Sequence, residues 1–293
     1  MIHDLRQALR SWSFKRPKNG VNDSEQQEES QQPEVTDWVE ILRIVEQLRA
    51  ECQSRLLLEN QTRKSAVTLG PLRSLSAIAQ AYQRFLLFAL MSYLPPDRQQ
   101  TYRNLVAVDA LSITTEDASR ACYRQRDYWY LHLVSTKARP EHLIKIPNIQ
   151  YPEGRCFYQY LQEWLSEYVY DVHEDEKQQI SGLRQALSPQ HPYFFTKKGG
   201  AKYRFSTELS QIIRDTSTRL SGKSLRPHAF RRLFIKKIKQ FSVEKPPPLL
   251  GKLINQLSDG HLGIYETHHA EMLETAVWVA GEMAQVTTIE FAP

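Results

Sequence analysis

The sequence predicts a mainly α-helical protein with one small antiparallel β-sheet, an α+β fold. Two observations carry this. Apolar residues recur at helical spacing in most segments between residues 37 and 283. Only 127–134 (DYWYLHLV) and 142–147 (HLIKIP) read as strands, and the polar stretch STKARPE joins them as a hairpin. A chain of 293 residues that is 41% hydrophobic has enough apolar surface for a sizeable core.

The elements follow in order. Residues 1–20 are basic, with five Lys/Arg against one acid, and 21–36 (NDSEQQEESQQPE within it) have the composition of a disordered linker. Together they form a basic tail and polar linker ahead of one domain over 37–283. A helix is expected from 37 to about 58 through Trp38, Ile41, Leu42, Val45 and Leu48, with Thr36 or Asp37 as its N-cap. Residues 75–94 form a strongly apolar helix that Pro95-Pro96 stops. After the hairpin, 155–168 (RCFYQYLQEWLSEY) is an amphipathic helix, and DVHEDEKQQ reads as an acidic loop. Helices are expected over 205–220, from Pro227 onward with Phe230, Phe234, Ile238 and Phe241 on one face, and over 271–283. Residues 284–293 are left as a tail.

Several classes are excluded. No apolar run approaches the roughly 18 residues that a membrane span needs, and MIHDLRQALR lacks a signal-peptide core. Cys52, Cys122 and Cys156 are widely spaced with no CxxC, which suits reduced cytoplasmic thiols and no zinc site. No phosphate-cradling Gly loop and no HExxH is present, so neither a cofactor nor a metal is expected.

Residues 224–265 carry the most information. The segment from Lys197 to Lys252 holds 15 Lys/Arg against three acids, whereas the whole chain has a net charge of only +5. Such a segment suits a polyanionic partner, double-stranded DNA. Its candidate DNA contacts are Lys197, Lys198, Arg226, Arg232, Lys236, Lys237 and Lys239. Pro227 fits the first position of a helix. His228 and Arg231 then share its first turn, where free N–H groups favour an anion. Tyr265 follows Arg231 by 34 residues.

The stretches QRFLLFALMSYLPPDRQQTYRNL, YPEGRCFYQYLQEWL, LRQALSP, LRPHAFRRLF and GIYETH resemble the tyrosine recombinase (phage integrase) family, of the cyanobacterial integrase-like type. The resemblance implies a catalytic domain in which Tyr265 attacks a DNA phosphate held by Arg98, His228 and Arg231. It implies that Lys137 at the hairpin turn protonates the leaving oxygen, with Lys145 as the fallback, and Arg103 is the nearest competitor of Arg98. Nine residues before the nucleophile, Gln256 stands where the family usually has His or Trp. Gln donates a hydrogen bond but carries no charge. The implied function is site-specific DNA recombination or integration through a 3′-phosphotyrosine, acting as a tetramer on two duplexes. The alternative is a DNA-binding relic of the same fold, since only about 36 residues precede the first helix and the family usually carries a core-binding domain there. A helical interaction protein that binds no DNA is a third reading, against which the basic segment argues.

Overall fold

The computed structural model describes residues 33–59, 67–107, 120–133, 142–173, 176–187, 191–244 and 269–290. The unit from Val35 onward is compact by itself. About half of the described residues are helical, and the largest sheet among them has four strands. No helix among the described residues is long and apolar enough to cross a membrane.

Helix α1 (Trp38–Ala50) starts where the Asp37 carboxylate accepts the Val39 N–H at 3.3 Å. It buries Trp38, Ile41, Leu42, Ile44, Val45 and Leu48. The helix ends eight residues short of the expected position. The Arg73 guanidinium donates to the Glu51 and Gln53 carbonyls and satisfies the helix end. The chain then enters a hairpin of β1 (Arg55–Glu59) and β2 (Val67–Leu72). A short apolar run such as Leu56–Leu58 is compatible with either state, and pairing with β2 decides it.

Helix α2 (Leu75–Ser92) is the centre of the core. It is capped by Ser74 and is apolar nearly all round, so it is buried nearly all round. Pro95 and Pro96 stop it, and a short α3 (Gln99–Arg103) follows. The sheet runs β3 (Val106–Ala107), β4 (Arg120–Gln125), β5 (Tyr128–Leu133) and β6 (His142–Lys145), in that spatial order. The predicted β5–β6 hairpin is present, with Tyr130 opposite Lys145 and Leu133 opposite His142. The sheet is mixed rather than purely antiparallel, because β3 pairs parallel to β4.

Helix α4 (Phe157–Leu165) packs on α2 through Phe85–Phe157 and Phe85–Tyr160 edge contacts. The expected acidic loop after it is a second hairpin, β7 (Tyr168–His173) with β8 (Glu176–Ile180). Tyr168-Val169-Tyr170 supplies strand-forming residues, and the burial of Tyr168 against Tyr82 anchors them. Asp171 and the exposed Glu176 lie on strands instead of in a loop, and Glu174 and Asp175 lie outside the described residues. The following turn requires glycine: Gly182 has φ +92°, and a Cβ there would lie 2.7 Å from the Trp164 carbonyl oxygen.

The short α5 (Arg184–Leu187) precedes α6 (Ser206–Ser221), which matches the predicted 205–220 helix. Helix α7 (Pro227–Glu244) begins at Pro227 as expected. Phe230 packs edge-on to Trp38 of α1 and Phe88 of α2, and Phe234 lies against Trp38. The last helix, α8 (His269–Glu290), runs seven residues beyond the predicted end, so 284–290 are helix rather than tail. It is fastened to the segment after β6. The Gln150 N–H donates to Gln285 Oε1 and Gln285 Nε2 donates to the Gln150 carbonyl, both at 2.8 Å.

Candidate functional site

The Pro-Pro stop builds one wall of the site. Asp97 follows it and organises the turn. Its Oδ1 accepts the Arg98 N–H at 2.6 Å, its Oδ2 accepts the Thr101 hydroxyl at 2.6 Å, and its own N–H donates to the Tyr102 hydroxyl at 3.2 Å. Arg98 is thereby held at the N-cap of α3 with its side chain exposed. Gln99 ties the turn to α6 through the Ser206 carbonyl at 2.7 Å and Ser210 Oγ at 3.1 Å. Arg103, the competitor of Arg98, is half-buried and donates to the Arg204 carbonyl. Of the two, Arg98 is the one that faces outward.

The start of α7 builds the second wall. The buried Leu225 donates its N–H to Ser217 Oγ at 2.9 Å, and the Ser224 carbonyl accepts from Val35 at 3.0 Å. These bonds fix the approach to Pro227. Arg226, immediately before it, is exposed. Its side chain offers donors but no acceptor to cap the helix. His228 is exposed, and Arg231 is half-buried.

The two walls meet. Arg231 Nε donates to the Pro96 carbonyl at 3.3 Å across 135 residues of sequence. Two Cα steps, at most about 7.6 Å, separate Pro96 from Arg98. Arg98, Arg231 and the first turn of α7 therefore share one neighbourhood. His228, Arg232 and Lys236 are exposed at i, i+4 and i+8, which forms a polar stripe with two permanent cations leading away from it. Lys237 is half-buried, and the Lys239 side chain lies outside the described residues.

The other expected residues fare differently. Lys137, Gln256 and Tyr265 lie outside the described residues. The Lys145 ammonium sits 3.3 Å from the centre of the Tyr128 ring, and Lys145 lines a cleft against α8. Lys197 forms an ion pair with Glu208. The hydrogen bond from Lys197, helped by the Phe205 and Arg204 N–H groups, holds the Glu208 carboxyl below its usual pKa. Lys197 is thus committed to bracing the start of α6, whereas Lys198 is exposed. Both line a 310 Å³ hollow with Arg84 between α2 and α6.

Chemically, Arg98 and Arg231 each offer a planar fork suited to phosphate oxygens. Asp97 holds the Arg98 backbone and Gln99 ties the turn to α6, and neither was singled out from the sequence. The signal for Asp97 was present, since an Asp after Pro-Pro and before a helix is a typical turn former. Comparison with family models, curated proteins and solved structures finds no match for this chain.

Proposed function

We propose that this chain is a DNA strand transferase of the tyrosine-recombinase type. The observation that carries the reading is the Arg231–Pro96 hydrogen bond, which joins the HxxR helix start to the Arg98 turn. In this reading one phosphate is held from both. In this reading the Tyr265 phenol oxygen attacks the scissile phosphorus and forms a P–O bond. The bond to the 5′-oxygen breaks. The phenolic proton passes to His228, and Lys137 (or Lys145) gives a proton to the departing 5′-oxygen. The products are a 3′-phosphotyrosine and a free 5′-hydroxyl. Attack by another 5′-hydroxyl reverses the chemistry and rejoins the strand. Arg98 and Arg231 stabilise the charge that gathers on the non-bridging oxygens, an effect commonly worth ~10²–10³-fold for a single such donor. The reaction conserves the phosphodiester bond energy in the covalent intermediate, so this reading calls for no metal or nucleotide. The DNA path runs along His228, Arg232 and Lys236, and recombination engages a tetramer on two duplexes.

A nicked suicide duplex tests the chemistry. The unmutated chain is expected to form a denaturant-resistant adduct slowly, because Gln256 is a weaker partner than His or Trp. Gln256→His is expected to speed the adduct, and Tyr265→Phe to abolish it while leaving DNA binding nearly unchanged.

One observation favours the relic reading, in which the fold binds DNA without cutting it. Arg231 is half-buried and donates to a carbonyl of its own chain. DNA binding with no adduct, even for Gln256→His, selects that reading.

A further inference from the structure

A cleft of about 820 Å³ lies between β6 and α8, and neither Arg98 nor Arg231 lines it. Its first wall is an edge of the sheet that no strand among the described residues covers, for β6 is the last of its four described strands. Ile146 donates its N–H to the Trp129 carbonyl at 2.9 Å, so 146, 144 and 142 are the residues of this segment that bond to β5. By the alternation of an antiparallel ladder, the N–H and C=O groups of Leu143 and Lys145 point the other way, off the edge. Leu143 and Lys145 are exposed on the outer face of the sheet, whereas Ile144 is buried on the inner face. All three line the cleft, which therefore runs alongside the strand edge.

The second wall is a face of α8. Glu274, Trp278 and Glu282 recur at i, i+4 and i+8, and all three are exposed. Trp278 is 51% exposed, a large apolar surface to leave in water. Neither carboxylate has an ion-pair partner among the described residues. The one cation on the opposite wall, Lys145, is drawn onto the Tyr128 ring. The α8 wall thus carries a carboxylate on each side of an aromatic centre, which favours a cationic occupant on that wall, while Lys145 keeps its charge on the other.

We propose that this cleft binds an extended, basic segment of a partner protein, which adds to the open edge of β6 as a fifth strand. The spacing defines the segment. Glu274 and Glu282 are eight rises of ~1.5 Å apart, about 12 Å. In an extended chain the side chains at i, i+2 and i+4 share one face, and i to i+4 spans about 13 Å. A segment of the form Lys/Arg-x-apolar-x-Lys/Arg places its two cations at the two carboxylates and its apolar side chain against Trp278. Backbone pairing to Leu143 and Lys145 supplies affinity, and the α8 face supplies the choice of side chains. This inference does not depend on the strand-transfer reading.

The test titrates the full chain into a fluorescein-labelled peptide, Ser-Lys-Thr-Leu-Thr-Lys-Ser, followed by anisotropy at low salt. Saturable one-to-one binding is expected, with none for the same peptide carrying Glu in place of both Lys. N–H groups alternate in direction along a strand, so N-methylation of the two Thr nitrogens in one peptide, or of the two Lys and the Leu nitrogens in a second, is expected to weaken binding at least tenfold in one of the two. Glu274→Lys combined with Glu282→Lys is expected to reverse the charge preference, and Trp278→Ala to weaken binding at least tenfold. Both helix positions of the charge swap are exposed, so that variant reports on binding even if Trp278→Ala does not fold. Failure of the basic peptide to bind at millimolar concentration overturns the proposal. So does binding that is indifferent to N-methylation or to the charge swap. A concentration-dependent dimer that Trp278→Ala dissolves also overturns it, since a second copy is then the occupant.

Discussion

The Arg98 turn and the β6–α8 cleft are both assembled from parts more than a hundred residues apart, yet they are held by different means. At the turn, polar groups do the joining: Asp97 to Arg98 and Thr101, Gln99 to α6, and Arg231 to the Pro96 carbonyl. Beneath them lies a dry aromatic base, in which Phe230 locks α7 onto Trp38 and Phe88. At the cleft, the fastening is a close backbone approach, with Gly281 against Pro147, plus the two-way Gln150–Gln285 bond. Its aromatic rings are left partly in water. The comparison teaches that a polar site can be rigid when a buried helix carries it. An apolar site that stays exposed has surface left over for a partner.

The sharpest way to break the first region is to remove its base. Phe230 is fully buried, so Phe230→Ala is expected to destabilise the fold by about 3–5 kcal/mol. Urea unfolding measures this. The second region breaks by overpacking. A Cβ at Gly281 would sit 3.0 Å from Pro147 Cβ, so Gly281→Val is expected to cost about 1–3 kcal/mol and to weaken peptide binding at the cleft. DNA affinity should stay unchanged in that variant, and a parallel loss of both would mean that the two regions are coupled.

Alkaline pH probes the aromatic side. Burial pushes Tyr158, Tyr160, Tyr168 and Tyr203 up to about 12. Unfolded tyrosine titrates near ~10, so the folded state holds these protons more tightly. Their stabilisation is intact below about pH 10 and is lost as the pH rises toward about 12. Tyrosinate absorbance and unfolding should change together in that window. Titration with normal tyrosine values in the folded protein contradicts the burial.

Arg231→Lys sharpens the contrast within the polar region. It keeps the charge but loses the Nε donor to Pro96, which should cost only about 1 kcal/mol of stability. Adduct formation should fall at least ~10²-fold in the strand-transfer reading, because a bidentate fork is lost. A large stability loss with unaltered adduct formation would mark Arg231 as structural. The smallest expected effect is on the salt slope of DNA binding. Reversing Lys236, Lys237 and Lys239 should lower it by about one unit per phosphate contact removed. An unchanged slope would place the DNA elsewhere.

Much of the helical frame was legible because its pattern is local. The α2 run, its Pro-Pro stop, the Pro227 start and the β5–β6 hairpin each declare themselves within about 20 residues of sequence. The errors fell where local composition was ambiguous. Leu56–Leu58 suits helix or strand, and Tyr168-Val169-Tyr170 was outweighed by the acids that follow it. Pairing with the other strand of each hairpin decided both. Within the candidate site, residue types and spacing pointed to His228 and Arg231, and the family resemblance to Arg98, but neither pointed to Asp97 or Gln99, whose work is to hold a neighbour. Sequence likewise marked Lys197 as a DNA contact, whereas its ion pair with Glu208 depends on how α6 begins.

By itself, then, the sequence determined the helix-rich class, the main element starts and stops, and the concentration of positive charge between Lys197 and Lys252, because periodicity, proline and charge act within a few residues. Only the tertiary structure decided that Arg231 meets the Pro96 carbonyl, that β3 joins the sheet in parallel, and that Glu274, Trp278 and Glu282 face an open strand edge. Those outcomes depend on which distant surfaces pack together, and packing is selected by the shape and burial of the whole core rather than by any one segment.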